Sequence, residues 1–303
     1  MKGMNSMKLL VTGVKGQLGH DVVNELEKRG HEAIGVDIEE MDITNPVSVQ
    51  TVMDETKPDA VIHCAAWTAV DAAEEDENKE MVRFVNAEGT RYIAEACKKL
   101  DCAMMYLSTD YVFDGQGDTP WDPDCKDYKP LNVYGQTKLE GELAVAENLN
   151  RFFIVRIAWV FGINGKNFIK TMLNAGKNHQ QLTVVNDQIG TPTYTFDLAR
   201  LLVDMIETDR YGYYHATNEG GYISWYEFAK EIFHQASLLG HEEYSESRLT
   251  ILPVSTAQYG ISKASRPFNS RLDKTKLVRQ GFTPLPDWKD ALNRYLREIL
   301  ASS

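Results

Sequence analysis

Tyr134 and Lys138 stand four residues apart in Tyr134-Gly135-Gln136-Thr137-Lys138. On a helix that spacing puts both side chains on one face, one turn apart. An ammonium close to a phenol stabilises the phenolate and lowers a pKa that is otherwise about 10. Tyr134 then becomes a usable proton donor to a developing alkoxide. The spacing by itself is common on exposed helix faces. Here Pro130 and Asn132 mark a helix start just before it, which aims Tyr134 into a cleft. Upstream, Ser108-Thr109-Asp110 ends an apolar run. If that run is a parallel strand, its carboxyl end is where open α/β sheets bind ligands. Thr109 is then placed to hydrogen-bond a carbonyl under reduction; the plainer alternative is a turn hydroxyl satisfying local backbone.

A hydride donor is implied near the amino terminus. Thr12-Gly13-Val14-Lys15-Gly16-Gln17-Leu18-Gly19 lies between a short apolar run and a helical pattern. Gly13 allows a tight turn, Gly16 lets backbone approach a pyrophosphate, and Gly19 lets the helix pack close to the sheet. The helix N-terminus offers free N–H groups and partial positive charge to phosphates. Glycines alone also serve a plain structural turn. The context, after a strand and before a helix with an acid beyond the next strand, points to a dinucleotide. Asp37 is that acid, and a carboxylate there accepts from the adenosine ribose hydroxyls, favouring NAD(H). Lys15 pulls the other way, toward a 2′-phosphate, so NADH and NADPH both stay open. Asp42-Ile43 can approach the adenine, or Asp42 can serve as a turn acid. Lys138 can also hydrogen-bond the nicotinamide ribose.

The elements that must position these residues follow a regular rhythm. Strands are expected at Lys8–Thr12, Ala33–Asp37, Asp59–Ala66, Ala103–Ser108 and Phe152–Ala158. Helices are expected at Leu18–Arg29, Pro46–Thr56 with Asn45 as cap, Asn78–Leu100 and about Leu131–Glu147. Alternation of this kind gives an α/β fold, a Rossmann-type doubly wound parallel sheet covered on both faces. After Phe161 the rhythm loosens into helices at Asn167–Ala175, Asp197–Glu207, Ser224–Leu239 and Asp287–Leu300, with strands at Leu182–Val185 and Tyr211–His215.

The 303 residues are 43% hydrophobic and 25% charged, enough for a sizeable core without disulfides or a structural metal. The net charge of −12 makes nucleic acid and anionic membranes unexpected partners. Cys64, Cys97, Cys102 and Cys125 form no CxxC pair, so reduced thiols and a cytoplasmic location are expected and no zinc site. Met1 to Met7 is polar, lacks the apolar region of a signal peptide and reads in part as an extension. No apolar run approaches the ~20 residues that span a bilayer.

Taken together, the glycine loop, Ser108-Thr109-Asp110 and Tyr134/Lys138 resemble the extended short-chain dehydrogenase/reductase superfamily. Four longer stretches narrow the match: Ser108-Thr109-Asp110-Tyr111-Val112-Phe113-Asp114-Gly115, Pro130-Leu131-Asn132-Val133-Tyr134-Gly135, Asn186-Asp187-Gln188-Ile189-Gly190-Thr191-Pro192-Thr193 and Ala264-Ser265-Arg266-Pro267. These are similar to the dTDP-4-dehydrorhamnose reductase family over nearly the whole chain. The resemblance implies NAD(P)H-dependent reduction of the C4 ketone of dTDP-4-dehydro-L-rhamnose to dTDP-L-rhamnose. Tyr134 would be the proton donor, Thr109 would assist, and Lys138 would tune Tyr134 and hold the cofactor. It places Gly16-Gln17-Leu18, Asp37, Asp42-Ile43 and Ala65-Ala66-Trp67-Thr68 at the cofactor, and Thr109, Asp110 and Trp159 at the sugar nucleotide. Arg266, before a proline in a loop-like stretch, could pair with the diphosphate; the plainer alternative is a surface cation. Trp67 departs from the pattern, since a histidine often stands there. Residues 1–160 would form the NAD(P)-binding domain, and 161–303 a smaller, mainly substrate-binding domain with segments returning to the sheet. Some relatives are magnesium-linked dimers, so the resemblance admits magnesium and a homodimer; no carboxylate cluster in the sequence makes a metal site.

Two other readings compete. An epimerase or dehydratase of the same fold would act on a related sugar nucleotide; no glutamate follows Asp110, which weighs against dehydration. A regulatory subunit of methionine adenosyltransferase shares much of this motif set and would bind rather than catalyse.

Overall fold

The structure, a computed structural model, describes residues 6–260 and 262–301. The polar extension expected at the start lies, for Met1–Asn5, outside the described residues. In chain order the first half runs β1 (Lys8–Thr12), α1 (Gln17–Lys28), β2 (Glu32–Val36), α2 (Pro46–Thr56), β3 (Ala60–His63), α3 (Lys79–Arg83), α4 (Gly89–Leu100), β4 (Ala103–Thr109), α5 (Val133–Asn148) and β5 (Phe152–Ile157). The five strands and a sixth, Gly212–His215, form one sheet in the order β2-β1-β3-β4-β5-(Gly212–His215). Every pairing is parallel. The expected α/β fold with its parallel sheet therefore holds.

Period-two alternation explains why both faces are covered. In β1, Leu9 and Val11 face a cluster with Val22 and Leu26 of α1 and with Leu198 and Leu202 from the helix Thr195–Ile206. Leu10, between them, faces Val49 and Met53 of α2 and Ile93 of α4. A strand buried on both sides must be apolar throughout, as Leu9-Leu10-Val11 is. Asn45 caps α2 as expected: its side chain accepts the Val47 N–H at 3.0 Å, and Pro46 fills the first turn. β1 lies between β2 and β3, so the winding reverses there and a crevice opens at the carboxyl ends of both.

Two elements of the first half differ from expectation. The long helix over 78–100 is helical but not uniform: Phe84–Glu88 is a π-turn. Beside it the Asn86 carbonyl accepts from Thr90 Oγ1 at 2.8 Å and from the Tyr106 hydroxyl at 3.3 Å. The third strand ends at His63 rather than Ala66. Beyond it the Ala65 N–H donates to Thr12 Oγ1 at 3.1 Å, so the chain leaves the ladder and turns into the crevice.

The second half builds its own core from Phe161, Tyr194, Phe228, Trp288 and Tyr295. Gln181–Val185 pairs in parallel with Thr250–Val254, a strand the sequence pattern did not suggest. Short ladders join Val160–Phe161 to Thr193–Tyr194 and Ile189–Gly190 to Ile223–Ser224.

Candidate active site

A cleft of about 890 Å³ runs along the carboxyl ends of the sheet strands. One end is the glycine loop. Gly13 has φ +71°, and a Cβ there would stand 2.8 Å from the Ala65 backbone. A Cβ on Gly19 would collide with the Gly13 carbonyl. The loop is therefore packed to a closeness only glycine permits, and it lets α1 begin at Gln17 without a side-chain cap. The uncapped N–H groups open on the cleft, a ready site for phosphate oxygens. Gly13, Lys15, Gly16, Gln17, Leu18 and Gly19 all line it. The Gln17 side chain also ties the halves together, accepting from the Gly162 N–H at 2.9 Å and Asn167 Nδ2 at 3.0 Å.

Asp37, Asp42 and Ile43 line the adjoining wall. One Asp37 carboxylate oxygen accepts the Lys15 N–H at 3.1 Å, so loop and acid are fixed to each other. The Lys15 ammonium is paired with Glu39, and Asp37 and Glu40 add to the negative field around it. Asp42 is occupied locally, accepting from the Thr44 N–H at 2.9 Å and the Thr44 hydroxyl at 2.7 Å. This is the turn-acid arrangement, at the cleft edge.

Ala65, Ala66 and Thr68 line the cleft, but Trp67 does not. Its indole N–H donates to the Ala69 carbonyl at 3.1 Å, and its backbone N–H donates to Asn86 Oδ1 at 2.8 Å. Asn86 also donates to Thr137 Oγ1 at 3.1 Å, so the π-turn residue joins this loop to α5. Nothing local in the sequence marked Asn86 for that task.

Tyr134, Lys138, Thr109 and Asp110 meet in the middle of the cleft. Asn132 caps α5 by accepting the Gly135 N–H at 2.8 Å, which sets Tyr134 in the first turn. Burial holds the Tyr134 phenol protonated, well above its ordinary range; Thr109 beside it offsets part of that rise. The expected pairing of Lys138 with Tyr134 is not what the structure holds. Lys138 Nζ donates to the Leu107 carbonyl at 2.6 Å and lies 4.1 Å from the centre of the Tyr106 ring. Burial among these groups lowers its pKa to about 7. Asp110 is buried too, with a pKa raised to about 6 by desolvation, which the neighbouring Ser270 and Thr109 hydroxyls partly offset. Its Oδ2 has no hydrogen-bond partner.

Trp159 lines the far wall, with Trp225, Gly165 and Lys166, none of the last three suggested by local pattern. Tyr111 also lines the cleft, edge-on to Tyr134 at 5.6 Å. Arg266, expected at a diphosphate, does not line the cleft. Its guanidinium is forked onto Asp71, at 3.2 and 3.0 Å, so the charge is already matched by a carboxylate. Among the described residues no three or more His, Cys, Asp or Glu side chains are grouped to hold a metal ion. No helix of the described residues is long and apolar enough to cross a membrane.

The family model of the RmlD substrate binding domain matches residues 7–301. A dTDP-4-dehydrorhamnose reductase of Aggregatibacter actinomycetemcomitans is 40% identical over 293 residues, covering 94% of this chain and 97% of that protein. The crystal structure of dTDP-4-dehydrorhamnose reductase from Bacillus anthracis in complex with NADP superposes with a TM-score of 0.89 at 38% identity, covering 97% of this chain and 99% of the other. That of the Clostridium acetobutylicum orthologue gives 0.90 at 38% identity, covering 97% and 100%.

Proposed function

The chain belongs to the RmlD substrate binding domain family, and on that premise we propose how it works as an NAD(P)H-dependent dTDP-4-dehydrorhamnose reductase in dTDP-rhamnose biosynthesis. The reaction is reduction of the C4 ketone of dTDP-4-dehydro-L-rhamnose to dTDP-L-rhamnose. One observation carries the reading: Tyr134, Thr109 and the glycine loop open onto a single cleft at the carboxyl ends of the sheet.

When bound, the reduced nicotinamide supplies hydride to the ketone carbon. The α1 N-terminus and Gly13–Gly19 would hold the pyrophosphate, and Asp37 would accept from the adenosine ribose hydroxyls. Tyr134 hands its phenolic proton to the developing alkoxide. An alkoxide is far more basic than any phenolate, so even a phenol weakened as an acid by burial gives up its proton there. Lys138, one turn on, is bonded to the Leu107 carbonyl rather than to Tyr134, and its ammonium would serve as a donor for the nicotinamide ribose. Trp159 faces the hexose. Residues 1–160 then serve mainly the cofactor and 161–303 mainly the sugar nucleotide.

The test is turnover. Purified protein given dTDP-4-dehydrorhamnose and NADPH or NADH should consume reduced cofactor and form dTDP-L-rhamnose. Cofactor binding without turnover would favour a purely regulatory role.

A further inference from the structure

Trp159 carries a backbone conformation that needs explaining. Its φ is +51°, in the left-handed region, where a bulky side chain is strained. The other two non-glycine residues with positive φ among those described, Lys57 and Asp101, are helix C-caps, where such a conformation is ordinary. Trp159 follows a sheet strand and sits in the cleft wall.

Three contacts hold it. The Thr193 N–H donates to the Trp159 carbonyl at 3.1 Å. Gly190 leaves room for the ring, since a Cβ there would stand 2.9 Å from Trp159 Cε2. The indole of Trp225 stacks on that of Trp159 with ring centroids 3.7 Å apart and planes within 16°. Trp225 is itself firmly set. It opens the helix Trp225–Leu238, whose capping box joins Ser224 and Glu227. Phe168 packs 4.6 Å from it. Ile223–Ser224 pairs antiparallel with Ile189–Gly190, so one small ladder delivers both the glycine and the second indole to Trp159.

We propose that Trp225 is a positioning residue for sugar capture: its stacked indole holds Trp159 in the strained conformation that presents the Trp159 ring to the hexose. The inference rests on the reading that Trp159 meets the sugar. Trp225 belongs to the second half of the chain and Trp159 follows β5, so the stack joins the two halves at the cleft wall. Loss of the stack lets Trp159 relax its backbone and turn its ring. Sugar binding then weakens, while the proton and hydride geometry at Tyr134 is left alone.

The experiment combines kinetics with circular dichroism on the purified enzyme. In Trp225→Leu, KM for dTDP-4-dehydrorhamnose should rise at least about tenfold while kcat changes by less than about threefold and the NADPH Kd stays put. Trp225→Phe keeps an aromatic plate and should hold KM within about threefold of wild type. It also guards against loss of fold in the leucine variant. Closely stacked indoles couple their ultraviolet transitions, so wild type should show an exciton couplet that vanishes in both Trp225→Phe and Trp159→Phe. A missing couplet in wild type, or an unchanged KM in a Trp225→Leu variant whose couplet is gone, overturns the proposal. If Trp159→Leu also leaves KM unchanged, the underlying reading of Trp159 as a hexose contact fails with it.

Discussion

Thr109 donates its hydroxyl hydrogen to Asp110 Oδ1 at 3.0 Å and accepts the Tyr111 N–H at 3.2 Å. A hydroxyl has one hydrogen and two lone pairs. With Asp110 ionised, Thr109 has one lone pair left and no hydrogen to give a ketone, so on the proposed mechanism the proton at neutral pH would come from Tyr134. With Asp110 protonated, its hold on that hydrogen weakens and Thr109 can donate. Desolvation sets the crossover at about pH 6. The ratio of wild-type to Thr109→Val kcat should therefore be larger below about pH 6 than near pH 8. A ratio that does not change with pH would refute this reading of Thr109.

The same carboxyl makes stability depend on pH. Its folded pKa of about 6 lies above the ordinary 3.8, so the folded state holds the proton more tightly than the unfolded chain. The stabilising contribution is full below about pH 4 and is lost as pH rises through about 6, an effect of the order of 3 kcal/mol at about 1.4 kcal/mol per pH unit. Asp110→Asn should flatten this slope. Urea denaturation of both proteins at about pH 4.5 and pH 7.5 measures it; parallel curves would contradict it.

Lys138 works in the opposite direction. Its folded pKa of about 7 lies below the ordinary 10.5, so the unfolded chain binds more protons between those values. Wild-type stability should rise, relative to Lys138→Met, as pH goes from about 7 to about 10, while the variant loses activity throughout. A stability difference that stays constant across that range would mean that the ammonium is not desolvated as the geometry implies.

These charges explain why the sequence could be read so far and no further. The sheet was legible because Leu9-Leu10-Val11 and Val61-Ile62 must be buried on both faces, a constraint written into consecutive residues. The glycine loop, Asp37 and Tyr134 were legible because their spacing is local. What remained hidden depends on partners distant in sequence. Arg266 reads as a free cation until Asp71, 195 residues away, is seen beneath it. The Lys138–Tyr134 spacing is right, but the nearer acceptor is a strand carbonyl that no helix pattern reveals. The π-turn carries no local signal; its Asn86 meets Tyr106, twenty residues on, only in the fold. Thr250–Val254 carries no clean alternation and becomes a strand only beside Gln181–Val185.

Cofactor choice should be tunable at Lys15. Glu39 holds its ammonium, and Glu40 and Asp37 add negative field where a 2′-phosphate would come. Glu39→Gln should tighten NADPH relative to NADH severalfold, more at low salt than at high salt, since these groups are exposed. Fluorescence titration of both reduced cofactors reads the ratio. An unchanged ratio would show that Lys15 does not sense the phosphate.

The central claim is that Tyr134 protonates the C4 oxygen as hydride reaches C4, and single-turnover kinetics with 4-deuterated NADPH test it most directly. With both hydrogens at the nicotinamide C4 replaced by deuterium, wild type should deliver deuterium to C4 of dTDP-L-rhamnose, and Tyr134→Phe should bind both ligands yet turn over about 10²-fold more slowly or worse. Deuterium-free product from wild type, or Tyr134→Phe at the wild-type rate, would contradict the account.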